Sequence, residues 1–102
     1  MIHVLATISL KPGTRMQYLE VMQWLAPQVR AEVGCIEYAA AVDTATSIAA
    51  QVPANADQVT VIERWTNLPS LEVHLKAAHM DEYRSRVKDY VTGVQLQVLE
   101  PA

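Results

Sequence analysis

The stretch "QVTVIERWTNLPSLEVHLKAAHM", residues 58–80, is the most informative about the fold. Four side chains of its first part alternate with the period of two that a strand shows: Val59, Val61, Glu63 and Trp65. Pro69 then fits the first turn of a helix, because its missing N–H would be unpaired there in any case. The apolar stripe of that helix is formed by Leu71, His74, Leu75 and Ala78. The stretch therefore predicts a strand followed closely by a helix, with a break in the helical pattern near His79.

The rest of the chain supplies three more strands and one more helix. Thr14 followed by Gln17 fits a capping box at the start of the first helix. Residues 44–57, "TATSIAAQVPANAD", have no hydrophobic period and predict a connecting loop. The remaining predicted elements are strands at 2–10, 35–42 and 94–100 and a helix at about 14–32.

The predicted order is βαββαβ over one domain, residues 1–102. This order folds as a ferredoxin-like α+β domain, a four-stranded antiparallel sheet with both helical segments on one face. Leu5, Ile62 and Leu99 lie opposite the main apolar sets of their strands. Because two helices cover only one face of a sheet, we expect a homodimer that covers the second face.

Composition removes several classes of function. The net charge is −3 and the eight basic residues are scattered, so we expect no nucleic-acid partner. No apolar run reaches the roughly 18–20 residues that a bilayer span needs, and no N-terminal signal is present, so we expect a cytoplasmic protein without a membrane partner. Cys35 is the only cysteine, which excludes an intrachain disulfide.

Residue spacing gives little support for a metal or a cofactor. His74 and His79 are five residues apart, about 140° around an ideal helix, whereas paired helical ligands usually occur at i and i+4. The three glycines form no phosphate-binding loop. We therefore expect no metal site and no tightly held cofactor.

His74 is the strongest candidate for chemistry, although it has two interpretations. It is either a core histidine bonded to a neighbour, or a base kept neutral by an apolar pocket that could take a proton from a phenolic substrate. Trp65 and Tyr83 either pack in the core or border that pocket. Glu63 points inward and either pairs with a cation such as Arg84 or lies at the pocket mouth.

Three segments carry a resemblance to a known family. The segment "VIERWTNLPSLEVHLKAAHMDEY", residues 61–83, resembles the antibiotic biosynthesis monooxygenase family, with a strand ending in E-R-W and a helix with two histidines. The segments "IHVLATISLKPG", residues 2–13, and "VRAEVGCIEY", residues 29–38, are similar to that family's opening strand and its first helix end. The resemblance covers nearly the whole chain except residues 44–57.

The resemblance implies a dimeric α+β barrel with a hydrophobic pocket in each subunit. Enzymes of this family oxidise quinols or polycyclic phenols with O₂ without metal or flavin. By this resemblance His74 would be the base or proton relay, Trp65 a pocket wall and Glu63 a further pocket residue for a small aromatic substrate. From its place in the helical stripe, Tyr83 is a further candidate for substrate binding.

Three other functions stay open on this architecture. One is a ligand-binding or stress-response barrel without turnover, and another is an isomerase. The third is haem degradation, which the sequence disfavours because Ala6 stands where the haem-degrading relatives carry an asparagine. Fold resemblance alone does not decide among these chemistries.

Overall fold

The computed structural model describes all 102 residues and contains four strands and three helices. In chain order the elements are β1 (Ile2–Leu10), α1 (Arg15–Arg30), β2 (Cys35–Ala41), β3 (Gln58–Trp65), α2 (Leu68–Leu75), α3 (Ala78–Val87) and β4 (Val91–Leu99). The strands pair antiparallel in the order β2-β3-β1-β4. The ferredoxin-like α+β fold is thus confirmed, although β4 begins three residues before the predicted strand.

The core lies between one face of the sheet and the helices. On that face the register places Ala6 opposite Val61 and Val4 opposite Glu63. From the other layer, Tyr18, Leu25 and the remaining buried side chains of α1 pack against the strands. The predicted alternation of β3 is confirmed, because Val59, Val61, Glu63 and Trp65 are all buried.

The second helical region breaks where the pattern predicted. Asn67 caps α2, because its side-chain oxygen accepts from the Ser70 N–H at 2.9 Å. The Ala77 N–H bonds back to the His74 carbonyl at 3.1 Å, which ends α2 and lets α3 start in a new direction. The two helices are therefore separate elements, each carrying one histidine.

The capping box predicted for α1 is wrong. The Thr14 side chain makes no cap bond to the helix, and its hydroxyl instead donates to the Lys11 carbonyl at 2.8 Å. The hydroxyl is engaged by the preceding turn and is lost to the helix N-terminus.

The loop predicted at residues 44–57 is confirmed, since residues 42–57 form no helix or strand between β2 and β3. Its base is closed by a bond from the Asn55 N–H to Asp43 Oδ2 at 2.8 Å. Asp57 fixes it to the first turn by accepting from the Gly13 N–H at 3.0 Å. The loop is thus held at its base and exposed elsewhere.

Apolar side chains remain uncovered on both faces of the sheet. Leu5 faces Ile62 across β1 and β3 on the side without helices. On the helix side, Val94, Leu96 and Val98 of β4 are about half exposed because no helix covers this strand.

No helix combines the length and apolar character needed to cross a bilayer.

Candidate active site

His74 lies at the centre of a buried polar cluster. Only 1% of His74 is exposed to solvent, and its Nδ1 atom lies 2.8 Å from Oε2 of Glu32. The Trp65 ring lies against the imidazole with centroids 4.7 Å apart, and Tyr38 meets it edge-on at 5.6 Å. Burial lowers the pKa of His74, and the hydrogen bond to Glu32 opposes this only in part. The imidazole is therefore neutral at pH 7.

Glu32 is the site residue that sequence reasoning missed. It follows the end of α1, where a carboxylate is disfavoured by the helix dipole. That unfavourable position is the only signal the sequence offered, because His74 is 42 residues away. Its Oε2 atom also lies 2.8 Å from Nε2 of His79, so one carboxylate oxygen joins both histidines.

The contact with Glu32 determines which nitrogen of His74 is free. A neutral imidazole that donates its Nδ1–H to the carboxylate keeps its lone pair on Nε2. That Nε2 atom lies 4.0 Å from Oε1 of Glu63. The cluster can therefore accept a proton at Nε2 and stabilise the resulting imidazolium through Glu32.

Glu63 is a second proton-exchanging group in the same cluster. It is 5% exposed, and its Oε1 atom accepts the Trp65 Nε1–H at 3.0 Å. Burial raises the pKa of Glu63 to about 7, although the bond from Trp65 opposes the rise. Of the two alternatives for Glu63, pairing with Arg84 is wrong, because Arg84 instead bonds the Asp81 carboxylate and the Leu75 carbonyl.

A cavity of about 550 Å³ opens beside these groups, between the sheet and the helices α2 and α3. Eleven of its fifteen lining residues are hydrophobic, so the cavity suits an apolar guest. The volume falls in the range of pockets that hold drug-sized ligands, roughly 300–1,000 Å³. The polar or charged lining side chains are Glu63, His74, Arg84 and Lys88.

Three of the four predicted site residues border this cavity. His74 and Glu63 do so, as does Tyr83, whose hydroxyl pairs with the Tyr18 hydroxyl at 2.7 Å. Trp65 is not among the residues that line the cavity, so it does not form the pocket wall that the sequence predicted. It is fully buried, where it positions Glu63 by a hydrogen bond and His74 by ring contact.

The two histidines of the second helical region lie closer together than their spacing predicted. The angle of about 140° assumes one continuous helix, whereas His74 belongs to α2 and His79 to α3. The break between these helices brings both rings to Glu32, and the ligand atoms of the three side chains lie within 4.8 Å of one another.

Comparison with known proteins identifies the family. The model of the family described as "Antibiotic biosynthesis monooxygenase" matches residues 1–86. The probable quinol monooxygenase YgiN of Escherichia coli (strain K12) is 35% identical over 103 residues, an alignment that covers 99% of this chain and 98% of that protein.

Solved structures show the same fold at lower identity. A conserved protein from Methanosarcina mazei Go1 has a TM-score of 0.84 at 20% identity, over 99% of this chain and 92% of that one. PA3566 from Pseudomonas aeruginosa has a TM-score of 0.80 at 23% identity, over 99% and 93%. The family match and the full-length relative together show that this chain belongs to the antibiotic biosynthesis monooxygenase family.

Proposed function

We propose that this protein is a cofactor-independent monooxygenase that oxidises a quinol or polycyclic phenol with O₂. The observation that carries the proposal is a buried imidazole, oriented by Glu32, in the wall of an apolar cavity. The family and the likeness to a probable quinol monooxygenase support the same reaction class.

The first step is removal of a phenolic proton by Nε2 of His74. Glu32, which accepts from Nδ1, stabilises the imidazolium that forms, in the manner of a carboxylate that orients a catalytic histidine. The deprotonated substrate is electron-rich and reduces O₂ directly. One oxygen atom enters the ring and the other leaves as water, so that a dihydroxynaphthalene and O₂ give a hydroxynaphthoquinone and H₂O. All electrons come from the substrate.

Charges around the cavity favour the substrate anion. Arg84 and Lys88 line the cavity and are exposed, so they lie where it meets solvent. Their positive charges stabilise a phenolate by Coulomb attraction. Glu63, with its pKa raised to about 7 by burial, is protonated in part of the molecules at neutral pH and repels the anion less than an ordinary carboxylate would.

The working unit in this proposal is a homodimer formed through the sheet faces without helices. Leu5, Ile62 and Leu99 on this face would be removed from water by a second copy. The dimer would hold the sheet rigid behind the cavity.

The experiment measures O₂ uptake by purified protein with 1,4-dihydroxynaphthalene and with anthrone, in buffer containing a chelator. His74→Ala should lower kcat/KM by roughly 10²–10⁴-fold, the usual contribution of a general base. Glu72→Gln alters an exposed carboxylate on the same helix and should keep the wild-type rate.

Oxidation at the buffer rate with wild-type protein would sink the enzymatic proposal. Thermal stabilisation by the quinone product without any O₂ uptake would instead support a ligand-binding protein that uses the same apolar cavity. Full activity in His74→Ala would support the proposed oxidation but contradict the role of His74 as its base.

A further inference from the structure

We propose that Glu32, His74 and His79 form a binding site for a divalent transition-metal ion, with Zn²⁺ as the ion that fits best. The proposal concerns the face of His74 turned away from Glu63. Two imidazole nitrogens and one carboxylate oxygen are a ligand set that zinc accepts, with water in the fourth position.

The spacing of the ligand atoms supports the site. Oε2 of Glu32 lies 2.8 Å from Nδ1 of His74 and 2.8 Å from Nε2 of His79, and all three atoms lie within 4.8 Å of one another. Zinc bonds of about 2.0–2.1 Å in a tetrahedron place neighbouring ligand atoms ~3.3 Å apart. Each ligand atom therefore needs to move by less than about 1 Å.

The three side chains are held by separate elements and are open to solvent on one side. Glu32 follows the end of α1, His74 lies in the last turn of α2, and His79 lies in the first turn of α3. Their side chains are 13%, 2% and 21% exposed, so an ion can enter beside His79 while His74 closes the inner side. The helix break that sets this arrangement makes the site preorganised.

Metal binding would change the tautomer of His74. In the metal-free cluster Nδ1 of His74 and Nε2 of His79 both face a carboxylate oxygen, which accepts hydrogen bonds, so each of these nitrogens carries the hydrogen of the contact. A metal ion would bind at these nitrogens and displace their hydrogens, and the hydrogen of the neutral His74 ring would move to Nε2. His74 then carries N–H at Nε2, toward Glu63 and the cavity.

This change gives the site a regulatory consequence, which rests on the proposed function. An imidazole with hydrogen on Nε2 and metal on Nδ1 has no free lone pair for the substrate proton. Zinc, which has no redox chemistry of its own, would thus inhibit the oxidation by occupying the base.

The test uses full-length protein with any affinity tag removed, stripped with a chelator and dialysed against Zn²⁺. Metal analysis should find about one zinc per chain in the wild type. His79→Gln keeps a hydrogen-bond donor near Glu32 but removes the ring nitrogen, and it should bind zinc at least about tenfold more weakly. His3→Gln, which changes the other histidine of the chain on the far face of the sheet, should bind as the wild type does.

Co²⁺ provides a spectroscopic check, since a tetrahedral site of this type gives intense visible absorption. Glu32→Gln replaces the charged ligand by an amide of the same shape. This variant and His79→Gln, each tested as a single substitution, should both lose that absorption. Absence of retained zinc in the wild type, or equal binding by wild type and His79→Gln, would overturn the site.

The activity measurement separates the two proposals. Zinc should inhibit the wild type and spare His79→Gln, each compared with its own zinc-free rate. Zinc binding without oxidation in any preparation would end the proposed function and leave the site standing. Oxidation that zinc does not affect, with no zinc bound, would end the site and leave the enzyme.

Discussion

Glu63 shows how a single buried carboxyl group links the stability of this protein to its chemistry. It occupies a core position of β3 between apolar neighbours and opposite Val4. Its one hydrogen bond comes from Trp65, which is too little to offset the loss of water around a charge. The protonated form is therefore favoured, and the folded chain holds this proton more tightly than the unfolded chain does.

Neutralising Glu63 should change the pH dependence of folding. Burial raises its pKa from an ordinary value of 4.5 to about 7, so the stabilisation is fully present below pH 4.5 and is lost as the pH rises through 7. Glu63→Gln should gain on the order of 3 kcal/mol of unfolding free energy relative to the wild type between pH 4 and pH 9. Urea denaturation across that range, with chelator present, measures the difference.

The control for Glu63 is Glu72→Gln, which changes an exposed carboxylate on α2. Its unfolding free energy should follow the wild type at every pH. If the difference between Glu63→Gln and the wild type is equally flat, the raised pKa of Glu63 is wrong.

Among single residues, the sequence predicted several that face inward but not their partners, and Leu75 and Ala78 of the predicted helical stripe are exposed. The period of two placed Glu63 and Trp65 on the core face, and the helical stripe placed His74 there as well. Both patterns describe the direction of a side chain relative to its own element. The contacts with Glu32 depend on how separate elements meet, which no local period encodes.

At the scale of helices and strands, Gly34, which directly precedes β2, packs closely against the start of α2. Its φ is +85°, and a Cβ atom built there would lie 2.3 Å from Oγ of Ser70 and 2.9 Å from Oγ1 of Thr66. Its carbonyl also accepts from the Thr66 N–H at 2.9 Å. The close approach fixes the position of α2, and with it the depth of His74.

Alanine substitutions at two glycines should separate strain from close packing. Gly13 has a φ of +79°, and a Cβ atom added there would meet no atom within 4 Å, so Gly13→Ala should cost only the left-handed penalty of about 1–2 kcal/mol. Gly34→Ala adds the collision with Ser70 and should cost more and lower kcat by displacing α2. Denaturation and O₂ uptake measure both. Equal losses in the two variants would show that the contact with Ser70 is unimportant.

The elements themselves were largely predictable because each has a clear period and clear end signals. Pro69 and the loop at 44–57 marked boundaries that the structure keeps. The capping box at Thr14 failed because the hydroxyl is turned to donate to the Lys11 carbonyl in the preceding turn, and its oxygen accepts no N–H of the helix. Which of these two bonds forms depends on turn geometry, which residue types alone leave open.

For the molecule in its entirety, the apolar side chains on the helix-free face predict a concentration-dependent dimer. Ile62→Glu places a charge at the centre of that face, opposite Leu5, and should weaken the dimer by at least roughly 3 kcal/mol, more than a hundredfold. Met16→Glu changes an exposed apolar residue of α1 and should not affect assembly. Sedimentation equilibrium measures both, and an unchanged mass for Ile62→Glu would exclude this face as the interface.

The exposed loop at residues 42–57 divides the chain into two halves that share one site. Glu32 precedes the loop, whereas Glu63, His74 and His79 follow it. β1 and β2 of the first half pair with β3 of the second, and β1 also pairs with β4. A protease cut within the loop would therefore leave two fragments held together by three strand pairings. Two fragments that are expressed separately should restore the site only when they associate into one folded protein.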